Sequence, residues 1–266
     1  QFSSKLLHTG EAGIQIIADA TDPNTAKTFT QYAASIIAAS QQELALGNNI
    51  PLHITSNIKL LYNPQMKSAY NFVPGVMGLI LMLICAMMTS ISIVREKEMG
   101  TMEVLLVSPM RPIFIILAKA VPYFVLSCVN LFTILILSVY VLHVPIAGSL
   151  FWLIIVSLLF IFVSLSLGLL ISTLTKTQVA AMLASGMILM MPTMLLSGMI
   201  FPIESMPSIL QWISHIIPAK WYIMTVKKLM IEGVNVSLAW QEISILMFMA
   251  ITLITISLKK FKNRLE

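Results

Sequence analysis

Long apolar runs alternate with short polar connections through the part of the chain that follows residue 71. The five runs cover residues 72–94, 113–142, 150–174, 179–200 and 238–258. Each is long enough to cross about 30 Å of hydrocarbon, which takes roughly 20 helical residues. The pattern therefore predicts an α-helical polytopic membrane protein, with five transmembrane helices in a membrane domain at 72–266.

The first 71 residues have a different, soluble character. Residues 14–18 read as a short strand, Asp22 and Pro23 form a helix start, and a helix is expected over about 24–46. A second extended stretch covers 53–62. Strand, helix and strand predict a partial α/β or α+β domain at 1–71. We expect it to continue upstream of Gln1, because so short a piece hardly buries a core alone.

Composition excludes a soluble globule, and the location of the charges predicts an orientation. Hydrophobic residues make up 58% of the chain and charged residues 10%, against about 25% charged in ordinary soluble domains. Lysines and arginines flank the first and third connections and follow the last span, whereas residues 143–149 carry neither. The positive-inside rule then predicts a cytoplasmic C-terminus and an extracytoplasmic 1–71. The simplest way to deliver that domain outside is a further spanning helix upstream, so we expect six helices in the intact protein.

The last connection, residues 201–237, is expected outside although it carries Lys220, Lys227 and Lys228. It is apolar, rich in tryptophan and tyrosine, and interrupted by prolines, a composition typical of headgroup depth. Two interpretations stand: short re-entrant or interfacial helices over about 201–232, or a plain interfacial loop.

Candidate chemistry within the spans is sparse. The sequence contains no G-x-x-x-x-G-K-[ST] phosphate-binding loop, and its scattered histidines favour packing or surface roles over metal ligation. No ionisable residue lies in the middle of a span; Lys119 and Glu242 lie near span ends. Because ion-coupled carriers normally keep such residues at mid-membrane, energy for any uphill transport is expected to enter from outside the bilayer.

The one dense charged segment, residues 95–103, is followed by apolar residues and by Pro109. Mixed charges at helical spacing predict a short cytoplasmic helix over about 95–110 that lies at the membrane surface. The alternative is an ordinary charged flank that stops transfer through the membrane.

Several motifs resemble one family, the bacterial ABC transporter type-2 permeases. The residues that carry the resemblance in the charged segment are Arg95-Glu96-Lys97-Glu98, Gly100-Thr101, Glu103 and Val107-Ser108-Pro109. Further similar stretches are Tyr62-Asn63-Pro64 with Val73-Pro74-Gly75, residues 168–173, residues 196–207 and residues 14–25. The resemblance covers nearly the whole chain in the expected order.

The resemblance implies an architecture and a division of labour in the bacterial plasma (inner) membrane. Two permease subunits, identical or paralogous, pair with separate ATP-binding subunits, which bind ATP and Mg²⁺; no cofactor, metal or catalytic residue is expected on this chain. The resemblance implies an ATPase-coupling helix that includes Arg95, Glu96, Lys97, Glu98, Gly100, Thr101, Glu103, Ser108 and Pro109. It implies an external re-entrant or gate region that includes Gly198, Phe201, Pro202, Glu204, Pro207 and Pro218.

The predicted function is ATP-driven export by alternating access, with a drug-like or lipophilic substrate. Membrane lipid and a periplasmic adaptor are further candidate partners, and nucleic acid is not. Small residues predict close helix contacts, at Gly75 with Gly78, Ser164 with Gly168, and Gly186. Methionines over 187–194 predict either apolar packing or an adaptable ligand surface. The alternatives are a non-transporting membrane-anchored assembly protein and a secondary carrier.

Overall fold

The computed structural model describes residues 11–47, 53–101 and 112–262. The chain divides into two compact units, Gln1–Asn71 and Phe72–Glu266. Each unit is described by itself.

The first unit contains a parallel pair of strands with a helix between them in sequence. Strand β1 (Glu11–Asp19) pairs with β2 (His53–Leu61) from Glu11 opposite His53 to Asp19 opposite Leu61. Helix α1 (Pro23–Gly47) connects them. Asp22 caps that helix, since its carboxylate accepts the Asn24 amide at 3.1 Å and the Thr25 hydroxyl at 2.8 Å. The result is a β-α-β unit.

The buried core of this unit is small. Ala12 of β1 and Ile54 of β2 are buried, and Ile14 and Ile37 pack against them. On α1, Phe29, Tyr32 and Ile36 stay exposed. Helix α1 therefore contributes only a narrow stripe to the core.

The second unit is a helical bundle. The long helices are α2 (Ala69–Glu98), α3 (Pro112–Tyr140), α4 (Leu150–Leu174), α5 (Gln178–Leu196) and α8 (Trp240–Lys262). All five contain a stretch that is long and apolar enough to cross a membrane. Between α5 and α8 lie the short helices α6 (Ser208–Ser214) and α7 (Pro218–Lys227). The bundle is that of a polytopic membrane protein.

Outside α4, the helix ends differ from the predicted apolar boundaries by one to four residues, most clearly at the last residues of α2, α5 and α8. Helix α2 continues through the charged residues to Glu98 rather than ending at residue 94. Helix α5 ends at Leu196, four residues before the predicted end at residue 200. The reason is Gly198, whose φ of +79° is a left-handed conformation that a helix cannot continue through.

Helix α4 lies at the centre of the bundle, where it packs against α3, α5, α7 and α8. Helix α2 also approaches it closely, since a Cβ atom on Gly168 would lie 2.5 Å from the Ala86 carbonyl oxygen. Cβ atoms on Gly75 and Gly78 would also meet close neighbours, but these are side chains, of Met199 and Ile223 respectively. The predicted close contact at Gly186 is not found, because nothing described lies within 4 Å of its Cβ position.

Candidate functional site

The charged segment lies at the end of α2. Residues 95–98 form the last turn of this helix, the Met99 amide donates to the Arg95 carbonyl at 3.0 Å, and Gly100 ends it with a φ of +74°. The segment is therefore not one helix from residue 95 onward, because Gly100 separates Thr101 from α2. Glu103, Ser108 and Pro109 lie outside the described residues.

Glu96 connects the end of α2 to α3. The Lys119 ammonium donates to the Glu96 carboxylate at 2.6 Å. The Thr101 hydroxyl donates to the other oxygen of the same carboxylate and, at 3.2 Å, to the Glu96 carbonyl. Glu96 therefore holds Lys119 on one side and the residue after Gly100 on the other.

The next two residues contact the ends of two further helices. The Lys97 ammonium donates to the main-chain carbonyl of Ser172, in the last turn of α4. The Glu98 carboxylate accepts the main-chain amide of Gln178 at 2.9 Å and its side-chain amide at 3.1 Å. Gln178 is the first residue of α5, so three successive side chains of α2 contact three different helices.

Arg95 and Met99 form the outward side of the same turn. Arg95 is exposed, and Met99 is 63% exposed. Residues four apart are neighbours on a helix surface, and the hydrogen bond between their main chains places these two one above the other. The end of α2 thus presents a cation beside a large apolar side chain.

The external region predicted from sequence is a chain of short helices. Its predicted residues lie at the structural transitions: Gly198 at the end of α5, Phe201 exposed, Pro202 before a 3₁₀ turn that holds Glu204, Pro207 before α6, and Pro218 as the first residue of α7. Helix α6 is largely exposed, with Trp212 at 79%, whereas nearly every residue of α7 is buried. Because α7 is a packed helix, this part is not a plain loop.

An aromatic pair fixes α7 against α4. The rings of Tyr222 and Phe160 are parallel to within 3°, with centroids 4.1 Å apart. The hydroxyl groups of Tyr222 and Ser157 are hydrogen-bonded at 2.8 Å. Burial raises the pKa of the Tyr222 hydroxyl above its ordinary value, so the tyrosine is a neutral packing residue.

The three unexpected lysines of this region are all bonded within the protein. Lys227 donates to the Gly198 carbonyl at 3.3 Å. Lys228 forms an ion pair with Glu242 at 2.6 Å. Lys220 donates to the Ser214 hydroxyl at 3.0 Å. Because these ammonium groups bond α7 and the residues just after it to α6, to the end of α5 and to α8, their presence in the segment has a structural explanation that does not depend on the side of the membrane.

Lys220 differs from the other two lysines because it is only 4% exposed. Its ammonium lies 3.4 Å from the His215 ring and 5.1 Å from the centre of the Trp221 ring. In the described parts of the chain, no carboxylate lies within ion-pair distance of it. Burial lowers the pKa of the Lys220 ammonium below its ordinary value, and the charge of Glu204 opposes that shift.

The two regions lie at opposite ends of α2. Met199 packs on Gly75 in the first turns of this helix, whereas the charged turn is at its end. Glu98 lies 23 positions after Gly75, which corresponds to about 35 Å of helix at 1.5 Å per residue. A signal from one region to the other must therefore travel through packed helices.

Several contact residues were not foreseen as partners. The sequence places Lys119 and Glu242 near span ends without assigning them partners, and it makes no prediction for the Ser172 carbonyl or for Gln178. Lys119 and Glu242 are each a lone charge within the first two turns of an apolar run. That signal could have suggested that each of them has a charged partner. Among the described residues, no group of three or more histidine, cysteine or acidic side chains could hold a metal ion.

Three of the four methionines over residues 187–194 of α5 are exposed, and the fourth, Met194, is half-buried. Met187 and Met191 are each 63% exposed, and Met190 is 43% exposed. Apolar packing inside this chain therefore does not account for them. They form an apolar surface that faces lipid or another molecule.

Comparison with known proteins identifies the family. The family model described as ABC-2 family transporter protein matches residues 1–259. The chain is 33% identical over 257 residues to the probable multidrug ABC transporter permease YbhS of Escherichia coli K12, covering 96% of this chain and 68% of that protein. For the probable multidrug ABC transporter permease YbhR of the same organism the identity is 31% over 242 residues, covering 91% and 66%.

A eukaryotic relative matches over a shorter stretch. ABC transporter G family member 20 of Dictyostelium discoideum is 28% identical over 217 residues, which cover 78% of this chain and 29% of that protein. The chain spans about two thirds of the length of the two bacterial relatives. No solved structure gave a significant match. The family model and the bacterial relatives agree with the five apolar helices, and the chain belongs to the ABC-2 family of transporter proteins as a multi-pass membrane permease.

Proposed function

We propose that this chain is the membrane-spanning subunit of an ATP-driven exporter and that the end of α2 couples it to a separate ATP-binding subunit. The observation that carries the proposal is the division of the last turn of α2. Glu96, Lys97 and Glu98 are bonded to other helices, whereas Arg95 and Met99 are exposed. An exposed cation beside an apolar side chain suits a protein partner, since arginine and methionine are enriched at interfaces.

In this proposal Arg95, Met99 and the segment that follows Gly100 form the docking surface. Glu103, Ser108 and Pro109 are assigned to the same surface by the family resemblance. ATP and Mg²⁺ bind to the partner, which accords with the lack of a phosphate-binding loop in this sequence. Two permease chains, identical or paralogous, line the pathway in the plasma membrane.

We assign a drug-like or lipophilic compound as the substrate class. Two bacterial relatives are named multidrug permeases, and α5 carries the exposed methionine surface at residues 187, 190 and 191. Methionine side chains are flexible and polarisable, so such a surface adapts to apolar ligands of different shapes. The gate is assigned to residues 198–218, at the opposite end of α2 from the docking surface.

The test is co-purification of an ABC ATP-binding subunit from the same genome with the permease from detergent-solubilised membranes. The variant Arg95→Glu/Met99→Asp reverses the exposed charge and removes the apolar side chain. We expect it to retain much less of the ATP-binding subunit, since truncating a central interface residue typically costs about 2 kcal/mol, or roughly 30-fold in affinity.

A matched control makes the same two kinds of change in the first unit. Lys27→Glu/Phe29→Asp alters an exposed lysine and an exposed aromatic residue of α1, and we expect normal co-purification. Equal retention by both variants would contradict the docking assignment. If no ATP-binding subunit binds the unaltered protein, the alternative of a membrane-anchored assembly protein is favoured.

A further inference from the structure

Three consecutive side chains at the end of α2 hold the ends of three other helices. We propose that these contacts, Glu96–Lys119, Lys97–Ser172 and Glu98–Gln178, act together as a helix-end tie that makes α3, α4 and α5 move with the docking surface. The proposal rests on the proposed function and adds to it how movement reaches the spans. It assigns Glu96, Lys97 and Glu98 as positioning residues rather than contacts to the ATP-binding subunit.

The geometry of a helix explains why one turn can hold three neighbours. Successive side chains point about 100° apart, because a turn contains 3.6 residues. Residues 96, 97 and 98 therefore point in three different directions. For each to find a bonded partner on a different helix, the last turn of α2 must lie among the ends of α3, α4 and α5.

The signs of the charges match the helix ends that they contact. Ser172 is in the last turn of α4, where main-chain carbonyls lack helical partners and carry partial negative charge, and Lys97 is a cation. Gln178 begins α5, where main-chain amides lack partners and carry partial positive charge, and Glu98 is an anion. Exchanging these two residues would place each charge at the wrong helix end.

The contact to α3 is of a different kind. Glu96 and Lys119 form an ion pair of two side chains that are 23% and 37% exposed. Such a pair contributes about 0–1 kcal/mol to stability. Its role in the proposal is therefore to position α3 against the end of α2 rather than to stabilise the fold. Because both partners are side chains, the pair can be reversed without losing it, which the two contacts to main-chain groups do not allow.

The three contacts surround the joint between α2 and the segment that follows. Gly100 adopts a left-handed conformation, and nothing described lies within 4 Å of its Cβ position. Thr101, just beyond it, is also held by Glu96. A displacement of the last turn of α2 must either carry α3, α4 and α5 with it or break these bonds, and the contact of Thr101 with Glu96 links the following segment to that turn.

The experiment compares two charge exchanges of equal composition in the complex reconstituted into lipid vesicles. Lys97→Glu/Glu98→Lys inverts both contacts to helix ends, whereas Glu96→Lys/Lys119→Glu preserves an ion pair with reversed polarity. Both are made in a Val179→Cys protein in which Cys85 and Cys128 are replaced by alanine. Val179, in the first turn of α5, is 68% exposed. The readout is the rate at which a maleimide labels Cys at position 179, without nucleotide and with ATP and vanadate.

We expect ATP and vanadate to change the labelling rate in the parent protein and in the Glu96→Lys/Lys119→Glu variant. In the Lys97→Glu/Glu98→Lys variant we expect the labelling rate with ATP and vanadate to stay equal to the labelling rate without nucleotide. The ATP-binding subunit should still co-purify with this variant and hydrolyse ATP. A parent-like change of rate in this variant would overturn the tie. If that variant does not fold, Glu98→Gln provides the same test with an uncharged acceptor and should reduce the change.

Failure of the tie and failure of the proposed function give different results. Without docking, no ATP-binding subunit co-purifies with the parent protein and ATP changes no labelling rate. With docking but no tie, the parent responds to ATP and the two exchanges respond alike.

Discussion

The main-chain carbonyl of Ala86 lies where a side chain at position 168 would begin. A Cβ atom on Gly168 would be 2.5 Å from that carbonyl oxygen and 2.9 Å from the Ala86 Cα. Both partners are main-chain atoms in helix interiors, so neither can move without displacing a helix. Glycine at this position is therefore what permits α2 and α4 to pack closely.

Gly168→Ala is expected to destabilise the protein by about 1–3 kcal/mol, the range for overpacking a core. The matched control is Gly186→Ala, also within a helix but with open space around its Cβ position. Alanine there should be neutral or stabilising by up to about 1 kcal/mol, given its higher helix propensity. Thermal unfolding in detergent measures both; equal effects would contradict the close packing of α2 on α4.

Lys220, in the first turn of α7, and Lys228, just after its end, should respond oppositely to removal of their charge. Lys228→Met leaves Glu242, whose side chain is 6% exposed, without its partner, and breaking such a pair costs about 3 kcal/mol. Lys220→Met removes a buried cation that forms no ion pair with a carboxylate in the described part of the chain. The Ser214 hydroxyl keeps its hydrogen bond to the Gln211 carbonyl at 2.6 Å. That variant should be as stable as the parent or more so. A larger loss at Lys220 than at Lys228 would contradict this assignment of the charges.

The lowered pKa of Lys220 also predicts a pH dependence. Between its folded-state pKa and the ordinary lysine value of about 10.4, the unfolded chain binds more protons than the folded one. Stability attributable to this residue must then rise with pH in that window. The difference in unfolding free energy between the parent and Lys220→Met should shift in favour of the parent as the pH rises towards about 10. A difference that stays constant or falls would contradict burial of a charged lysine.

The orientation of the bundle can be tested by labelling single cysteines from one side. Phe201 and Met99 are both exposed. Phe201 lies two residues after Met199, which packs on Gly75 near the start of α2, whereas Met99 directly follows the last residue of α2. The positive-inside rule predicts that position 201 faces outward and position 99 the cytoplasm. A membrane-impermeant maleimide should label Phe201→Cys on intact cells and Met99→Cys only after permeabilisation. The reverse labelling pattern would contradict the predicted topology.

The sequence predicts the helices well because apolar length alone decides where a chain can span a membrane. Helix α4 has the predicted bounds, and the other spans differ only at their ends. Two of those differences follow local signals: α2 continues past its apolar run to Glu98 and is ended by Gly100, and Gly198 ends α5 early. Both glycines adopt a positive φ. A glycine near the end of a helix is visible in the sequence, but a prediction from apolar length alone does not use it.

The partners of the charged residues could not be predicted in the same way. Lys97 and Ser172 are 75 positions apart in sequence, and Glu98 and Gln178 are 80 apart. Such contacts depend on how helices associate, and no local periodicity encodes them. For the same reason the sequence does not reveal that Lys220 is buried within α7 while Lys228 pairs with Glu242 of α8.

Chemical cross-linking of position 99 to the ATP-binding subunit tests the central claim most directly. Met99→Cys, with Cys85 and Cys128 replaced by alanine, is treated with a short thiol-to-amine cross-linker in membranes that contain the ATP-binding subunit. Phe201→Cys in the same background is the control. Docking at the end of α2 predicts a product of the summed mass from Met99→Cys and none from Phe201→Cys. No product from Met99→Cys, or equal products from both positions, would contradict the account.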